Sequence, residues 1–274
     1  MKSFDMQRFL KTLKWIIIEN KHKLTLWTAA STLGVFLLEM FFFYMNSPFT
    51  DSESYWKVVM VVVGTCSFFI TLAALISVSG LFSEFSTKQR RVSLLMLPAS
   101  NLEKFLSAVI YSSVVSVACI LLAFAVGDTL RMLTYTLFFH QPLYSGVGEM
   151  ARDLFAMSHN TISMGYWQLM LLEVLAPIFF HATYILGGSL FRKWPFLLVT
   201  TVQIVVTMLG SMLMMFMFRH FDFSFVENFL NETTGKILYY VFCLLLATVS
   251  ALFYWLSYRI FCRMQIIGRK WVNV

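Results

Sequence analysis

Six times along the chain apolar residues run for more than twenty positions, over 24–44, 58–81, 105–126, 167–191, 195–218 and 237–258, with polar residues gathered in the gaps. Each run exceeds the roughly 20 residues that cross a hydrocarbon core about 30 Å thick at ~1.5 Å per residue. Backbone amides find no water in lipid, so runs of this kind must close their hydrogen bonds internally, and the pattern predicts six membrane-spanning helices.

The gaps carry patterns of their own. Over 4–21 the apolar Met6, Phe9, Leu10, Leu13, Ile16 and Ile17 fall on one side at helical spacing, and Arg8, Lys11, Lys14 and Lys21 on the other. That predicts an amphipathic helix lying in the membrane interface ahead of the first span. Between spans two and three, 82–104 is basic and contains Pro98; it holds Lys88, Arg90, Arg91 and Lys104, and its stretch 83–97 is predicted to be a short helix. Ser100-Asn-Leu-Glu103 has the form of a capping box, while Pro98 blocks any helix running through, so the chain should turn there and restart sharply at span three.

The outer stretch 127–166 is too apolar for disorder; part of it is expected to prolong the third helix, and an amphipathic patch at 147–157 to cap the bundle. Spans four and five are separated by Arg192-Lys193-Trp194 before Pro195, which predicts a tight hairpin. The segment 219–235 alternates aromatics with acids and could dip into the membrane.

Composition agrees with the hydropathy pattern. At 59% apolar and 13% charged, the chain departs from soluble globules, which carry about 25% charge. Sixteen of the 21 cations lie in the N-terminal stretch, in 82–104, at 192–193 and from Arg259 onward; short cation-rich loops stay cytoplasmic, so both termini are expected in the cytosol. The acids Asp51, Glu53, Asp128, Glu149, Asp153, Asp222, Glu227 and Glu232 are then expected to face outward. A net charge of +7 reads as orientation and headgroup contact, with no nucleic acid required. Cys66, Cys119, Cys243 and Cys262 have neither the outer position of disulfides nor metal-site spacing.

Few polar groups interrupt the spans. Glu39, Glu173 and His181 are the ionisable ones, and Gln203 is an amide in the fifth. A charge at mid-helix costs about 2.5 to 3.5 kcal/mol, so each is a candidate for a substrate path, weighed against simple hydrogen bonding to a neighbouring helix. Glu39 and Glu173 both lie roughly 8 to 12 Å below the outer ends of their helices and could line one cavity, with Pro177 kinking the fourth helix beside them. The sequence contains no phosphate-binding loop, no His-Glu-x-x-His and no Gly-x-Ser-x-Gly. It is therefore read as a subunit without its own ATPase or catalytic site and without a cofactor of its own. Glu173 and His181 sit eight positions apart, too far for a direct acid and base pair on one helix.

Six spans, the amphipathic helix before the first, and Glu84 followed by a basic cluster and Leu97-Pro98-Ala99-Ser100-Asn101-Leu102-Glu103-Lys104 together resemble the permease subunits of ABC-2 type transporters, particularly bacterial exporters. The likeness covers the architecture of nearly the whole chain, and its specific motif is confined to 82–107. It implies an all-α, six-span fold over 1–274 and a location in the bacterial cytoplasmic membrane. It also implies a permease dimer, and a separate ATP-binding subunit that carries ATP and Mg. The segment between spans two and three would be the coupling helix, with Glu84, Lys88, Arg90, Arg91, Leu97, Pro98 and Glu103 meeting that subunit. The stretch 127–166 is longer than the resemblance implies, and the short helices it implies before span six are only hinted at by 219–235. Two other readings stay open: a non-transporting assembly or sensor subunit that uses 127–166, and an intramembrane enzyme acting through Glu173 and His181.

Overall fold

The computed structural model describes residues 4–46, 52–80, 88–139, 145–156, 166–191, 193–220 and 232–263. In chain order the helices are α1 (Met6–Met45), α2 (Ser52–Ser79), α3 (Lys88–Met96), α4 (Asn101–Ile110), a π-helical turn (Tyr111–Val115), α5 (Ser116–Phe139), α6 (Gly146–Ala156), α7 (Tyr166–Leu190), α8 (Pro195–His220) and α9 (Glu232–Cys262). Among the described residues six stretches are long and apolar enough to cross a membrane: in α1, in α2, in the continuous run from α4 through α5, and in α7, α8 and α9. The chain is an all-helical, multi-pass membrane protein.

Its contacts divide it into two compact units, Met1–Ser77 with Pro98–Ser163, and Val78–Leu97 with Met164–Val274. In the first, α1 lies alongside the run from α4 to α5, and the two are parallel: Asp5 meets Glu103 near their starts, and Phe43 meets Tyr135 near their ends. Chains that cross a membrane alternately place first and third spans in the same direction, and this pairing has that sense. The helices approach closely at Gly127, where an added Cβ would stand 2.8 Å from a Val35 methyl and 3.2 Å from the Thr32 carbonyl oxygen. Phe43, Val59, Val62, Cys66, Phe124 and Tyr135 form the core between α1, α2 and α5. At the π turn the Ser116 amide donates to the Tyr111 carbonyl five residues back, and the Ser77 hydroxyl of α2 donates to the Ser112 carbonyl (3.2 Å).

One expectation is corrected here. The stretch 4–21 is not a separate helix; from Met6 onward it is the first part of a 40-residue α1 that continues without a break into the first span. No Gly or Pro occurs before Gly34 in α1, and the cations Lys21 and Lys23 disturb no backbone hydrogen bond. The apolar face is divided as a result. Phe9 and Ile16 are buried, in line with Thr12 and Asn20, while Met6 and Leu10 remain exposed.

In the second unit α7 packs along α9 and against α8. Gly187 and Gly188 make close contact possible: a Cβ on Gly188 would come within 2.5 Å of the Ser79 carbonyl oxygen. Tyr184 and Thr200 share a hydrogen bond of 2.9 Å between α7 and α8, near the expected tight turn. Trp194 enters that turn with φ of 55°, a left-handed conformation uncommon outside glycine. From residue 201 to 217 every residue of α8 except Gln203 is exposed, and most are apolar, as expected of a helix bathed in lipid. Of the helix expected over 83–97, 88–96 forms α3, and 83–87, Glu84 included, lie outside the described residues.

Candidate functional site

Three polar constellations stand out in a molecule otherwise packed by hydrocarbon. The first sits where α4 begins. The Ser100 hydroxyl accepts from the Glu103 amide (3.3 Å) and the Glu103 carboxylate accepts from the Ser100 amide (2.8 Å), the reciprocal capping box expected from the sequence. Glu103 does more than cap. Its other oxygen accepts from the Asp5 amide (2.9 Å) and from the Arg8 guanidinium (3.2 Å), and one turn further on the Ser107 hydroxyl donates to the Phe9 carbonyl (3.3 Å). The Glu103 side chain is fully buried, so these donors replace the water it has lost. The beginning of α1 is thereby fastened to the beginning of α4, directly after Leu97 and Pro98.

The second constellation lies toward the other end of the same two helices. Glu39 of α1 does not stand free in a cavity: one carboxylate oxygen accepts from Arg131 Nε at 3.1 Å, and the other faces the Cys66 thiol of α2 at 3.8 Å. Arg131 also donates to Asp128, one turn before it on α5, through Nε and Nη2. The second oxygen of Asp128 accepts from the Ser145 hydroxyl and the Val147 amide, both at 3.0 Å, which fixes the first turn of α6 to α5. Glu39 is 0%, Asp128 1% and Arg131 1% exposed, and the guanidinium lies over the Phe43 ring at 4.6 Å. Asp128, one of the acids expected on the outer side of the membrane, is buried inside the bundle. Burial of three charges is tolerable because each is paired and hydrogen-bonded. Chemically the arrangement is closed: the Glu39 charge is already met, which favours a structural role over a substrate contact.

The third belongs to the second unit. His181 Nδ1 of α7 and the Tyr254 hydroxyl of α9 are 2.6 Å apart. Gln203 of α8 places its amide nitrogen in a buried position with no hydrogen-bond partner among the described residues. Glu173 is exposed on α7 above Pro177. It stands about 12 Å of helix rise from His181. Of the residues expected to meet a partner, Lys88, Arg90 and Arg91 fall in α3, Leu97 and Pro98 in the turn that follows, and Glu103 in the fastening described above. Among the described residues no group of His, Cys, Asp and Glu is placed to hold a metal ion, and all four cysteines are free thiols.

Sequence reasoning singled out Glu39 and Glu103 but missed their partners. Asp128 and Arg131 carried a signal, opposite charges three positions apart within an apolar stretch. Arg8 was read only as part of a cationic face. No family model, curated protein or solved structure matches this chain.

Proposed function

We propose that this protein is the membrane permease subunit of an ATP-driven, ABC-2 type transporter, exporting a hydrophobic or amphipathic substrate and working as a dimer with a separate ATP-binding subunit in a bacterial cytoplasmic membrane. The observation that carries the reading is the segment between the second and third spans. A short helix with the sequence KQRRVSLLM ends at a proline-containing turn, and the next helix starts on a capping box whose glutamate also grips α1. A push delivered to such a segment would reach α1 and α4 together. The sequence holds no phosphate-binding loop, and in this reading the energy comes from the ATP-binding subunit.

In this reading both termini and α3 face the cytosol. Lys88, Arg90 and Arg91 meet acidic features of the ATP-binding subunit, and ATP-driven closure of that subunit moves α3 as a lever. The test is purification from native membranes in mild detergent, with ATP hydrolysis measured on the purified complex. The wild-type chain should bring an ATP-hydrolysing subunit with it, and the double substitution Arg90→Glu, Arg91→Glu should abolish its retention or its stimulation by substrate. Retention and coupling unchanged by charge reversal would discard the lever.

A further inference from the structure

Along the line on which α1 meets α4 and the π turn, one polar side chain is incompletely paired. Asn20 is 5% exposed and shares its face of α1 with the buried Phe9, Thr12 and Ile16. Its Nδ2 donates to the Ile16 carbonyl (3.1 Å), a bond that only the nitrogen end of the amide can make. The other end, Oδ1, is buried with no hydrogen-bond partner among the described residues. An amide oxygen taken out of water without a donor destabilises the fold, and such atoms are rare in native proteins.

What stands opposite Asn20 follows from the register of the two parallel helices. The Ser107 hydroxyl meets the Phe9 carbonyl, and further along Gly127 abuts the Thr32 carbonyl. The stretch 9–32 of α1 thus runs beside 107–127, and proportion places Asn20 level with Ser116, at the end of the π turn. Ser116 and Ser112 are both buried. Neither hydroxyl has a proton to offer: Ser116 donates to the Tyr111 carbonyl (3.1 Å) and Ser112 to the Val109 carbonyl (3.0 Å). At this level both helices present lone pairs and no donor. What fits between them is a small donor of two protons or a cation. Residues 8–23 of α1 carry the cations Arg8, Lys11, Lys14, Lys21 and Lys23 against the single acid Glu19, a setting that disfavours a further positive charge. Water is the small neutral donor that remains.

We propose that Asn20 marks a bound-water site, in which one water donates to Asn20 Oδ1 and to a hydroxyl oxygen of Ser116 or Ser112 and so bridges α1 to the π turn. Buried waters settle where otherwise unsatisfied polar groups converge, and a bridging water is nearly as favourable as a direct hydrogen bond. The bridge ties the two helices partway between the Glu103 and Arg131 contacts. It lies within the first unit and does not depend on the transport reading.

The test is X-ray footprinting of the full chain in lipid nanodiscs, read by peptide mapping. Irradiation splits bound water into hydroxyl radicals in place, and these modify adjacent side chains whether or not bulk solvent reaches them. Ile16 and Tyr111 adjoin the site, whereas Phe124 and Tyr135, buried to a similar degree, lie in the apolar core. With each residue normalised to its own labelling in the unfolded chain, Ile16 and Tyr111 should be modified several times faster than Phe124 and Tyr135. Asn20→Leu removes the acceptor and fills its space with methyl groups, and should bring Ile16 and Tyr111 down to the level of the core pair. Wild-type labelling of Ile16 and Tyr111 no faster than that of the core pair would overturn the proposal, and that comparison decides by itself if Asn20→Leu does not fold. Fast labelling that persists in a folded Asn20→Leu variant would overturn it as well.

Discussion

Replacing Arg131 with methionine is the most informative single perturbation of this fold. Methionine keeps an unbranched apolar side chain but loses the guanidinium, which lies over the Phe43 ring and faces both Glu39 and Asp128. Two carboxylates, 0% and 1% exposed, then face each other without it. Removing one partner of a buried ion pair typically costs about 3–5 kcal/mol. At about 2–4 °C per kcal/mol for a chain of this size class, the melting temperature should fall by roughly 6 to 20 °C. Glu39→Gln is the control. It leaves Asp128 and Arg131 as a balanced pair, and the amide oxygen can still accept from Arg131 Nε, so its cost should be nearer 1 kcal/mol. The double variant Glu39→Gln, Arg131→Met leaves one carboxylate, still hydrogen-bonded by Ser145 and Val147, and should be more stable than Arg131→Met alone, a coupling of the kind a double-mutant cycle isolates. Thermal unfolding can be followed with a thiol-reactive fluorophore in a Cys119→Ser, Cys262→Ser background, since the half-buried Cys119 and exposed Cys262 react in the folded state whereas Cys66 and Cys243, 2% and 3% exposed, react only once the bundle opens. An Arg131→Met variant that melts within ~2 °C of the wild type, a loss of at most about 1 kcal/mol, would refute the reasoning. So would a Glu39→Gln variant that loses as much stability as Arg131→Met.

At the start of α4, Ser100→Ala should cost about 0.5–2 kcal/mol as the loss of one cap. Glu103→Ala should cost more, because it also strips the Asp5 amide and Arg8 of their acceptor; hydrogen exchange should rise at both helix starts, 5–9 and 100–104, in the second variant. Gly188→Ala drives a methyl onto the backbone carbonyl of Ser79, which cannot rotate away, and should destabilise by about 1–3 kcal/mol in the same melting assay. Gly210→Ala, with open space around its Cβ, should be neutral or stabilise by up to about 1 kcal/mol.

The spans were legible because hydropathy over twenty residues is a one-dimensional signal, and lipid permits no other answer. The capping box was legible for a related reason: Ser100 and Glu103 are close in sequence, and their geometry is set by the helix itself. What escaped was contact at long range. Nothing local tells Glu103 that Asp5 and Arg8 lie beside it, or Glu39 that Arg131 does. Cation counting assigns whole segments to sides and is silent on burial, which for Asp128 depends on one cation three positions away and on the first turn of α6. The continuity of α1 was missed for a different cause. Lys21 and Lys23 separate the amphipathic stretch from the first apolar run, yet charge ends the membrane's grip on a helix without ending the helix.

The two clasps on α1 also have a mechanical meaning. At about 1.5 Å per residue the rod is about 60 Å long, and it is bound to its parallel neighbour by Glu103 at one extremity and by Arg131 near the other. A pair of beams joined at a single point can slide or scissor. Joined at both, they form a truss that can tilt or translate only as one piece, and a slip of a single helical turn would have to rupture both joints at once.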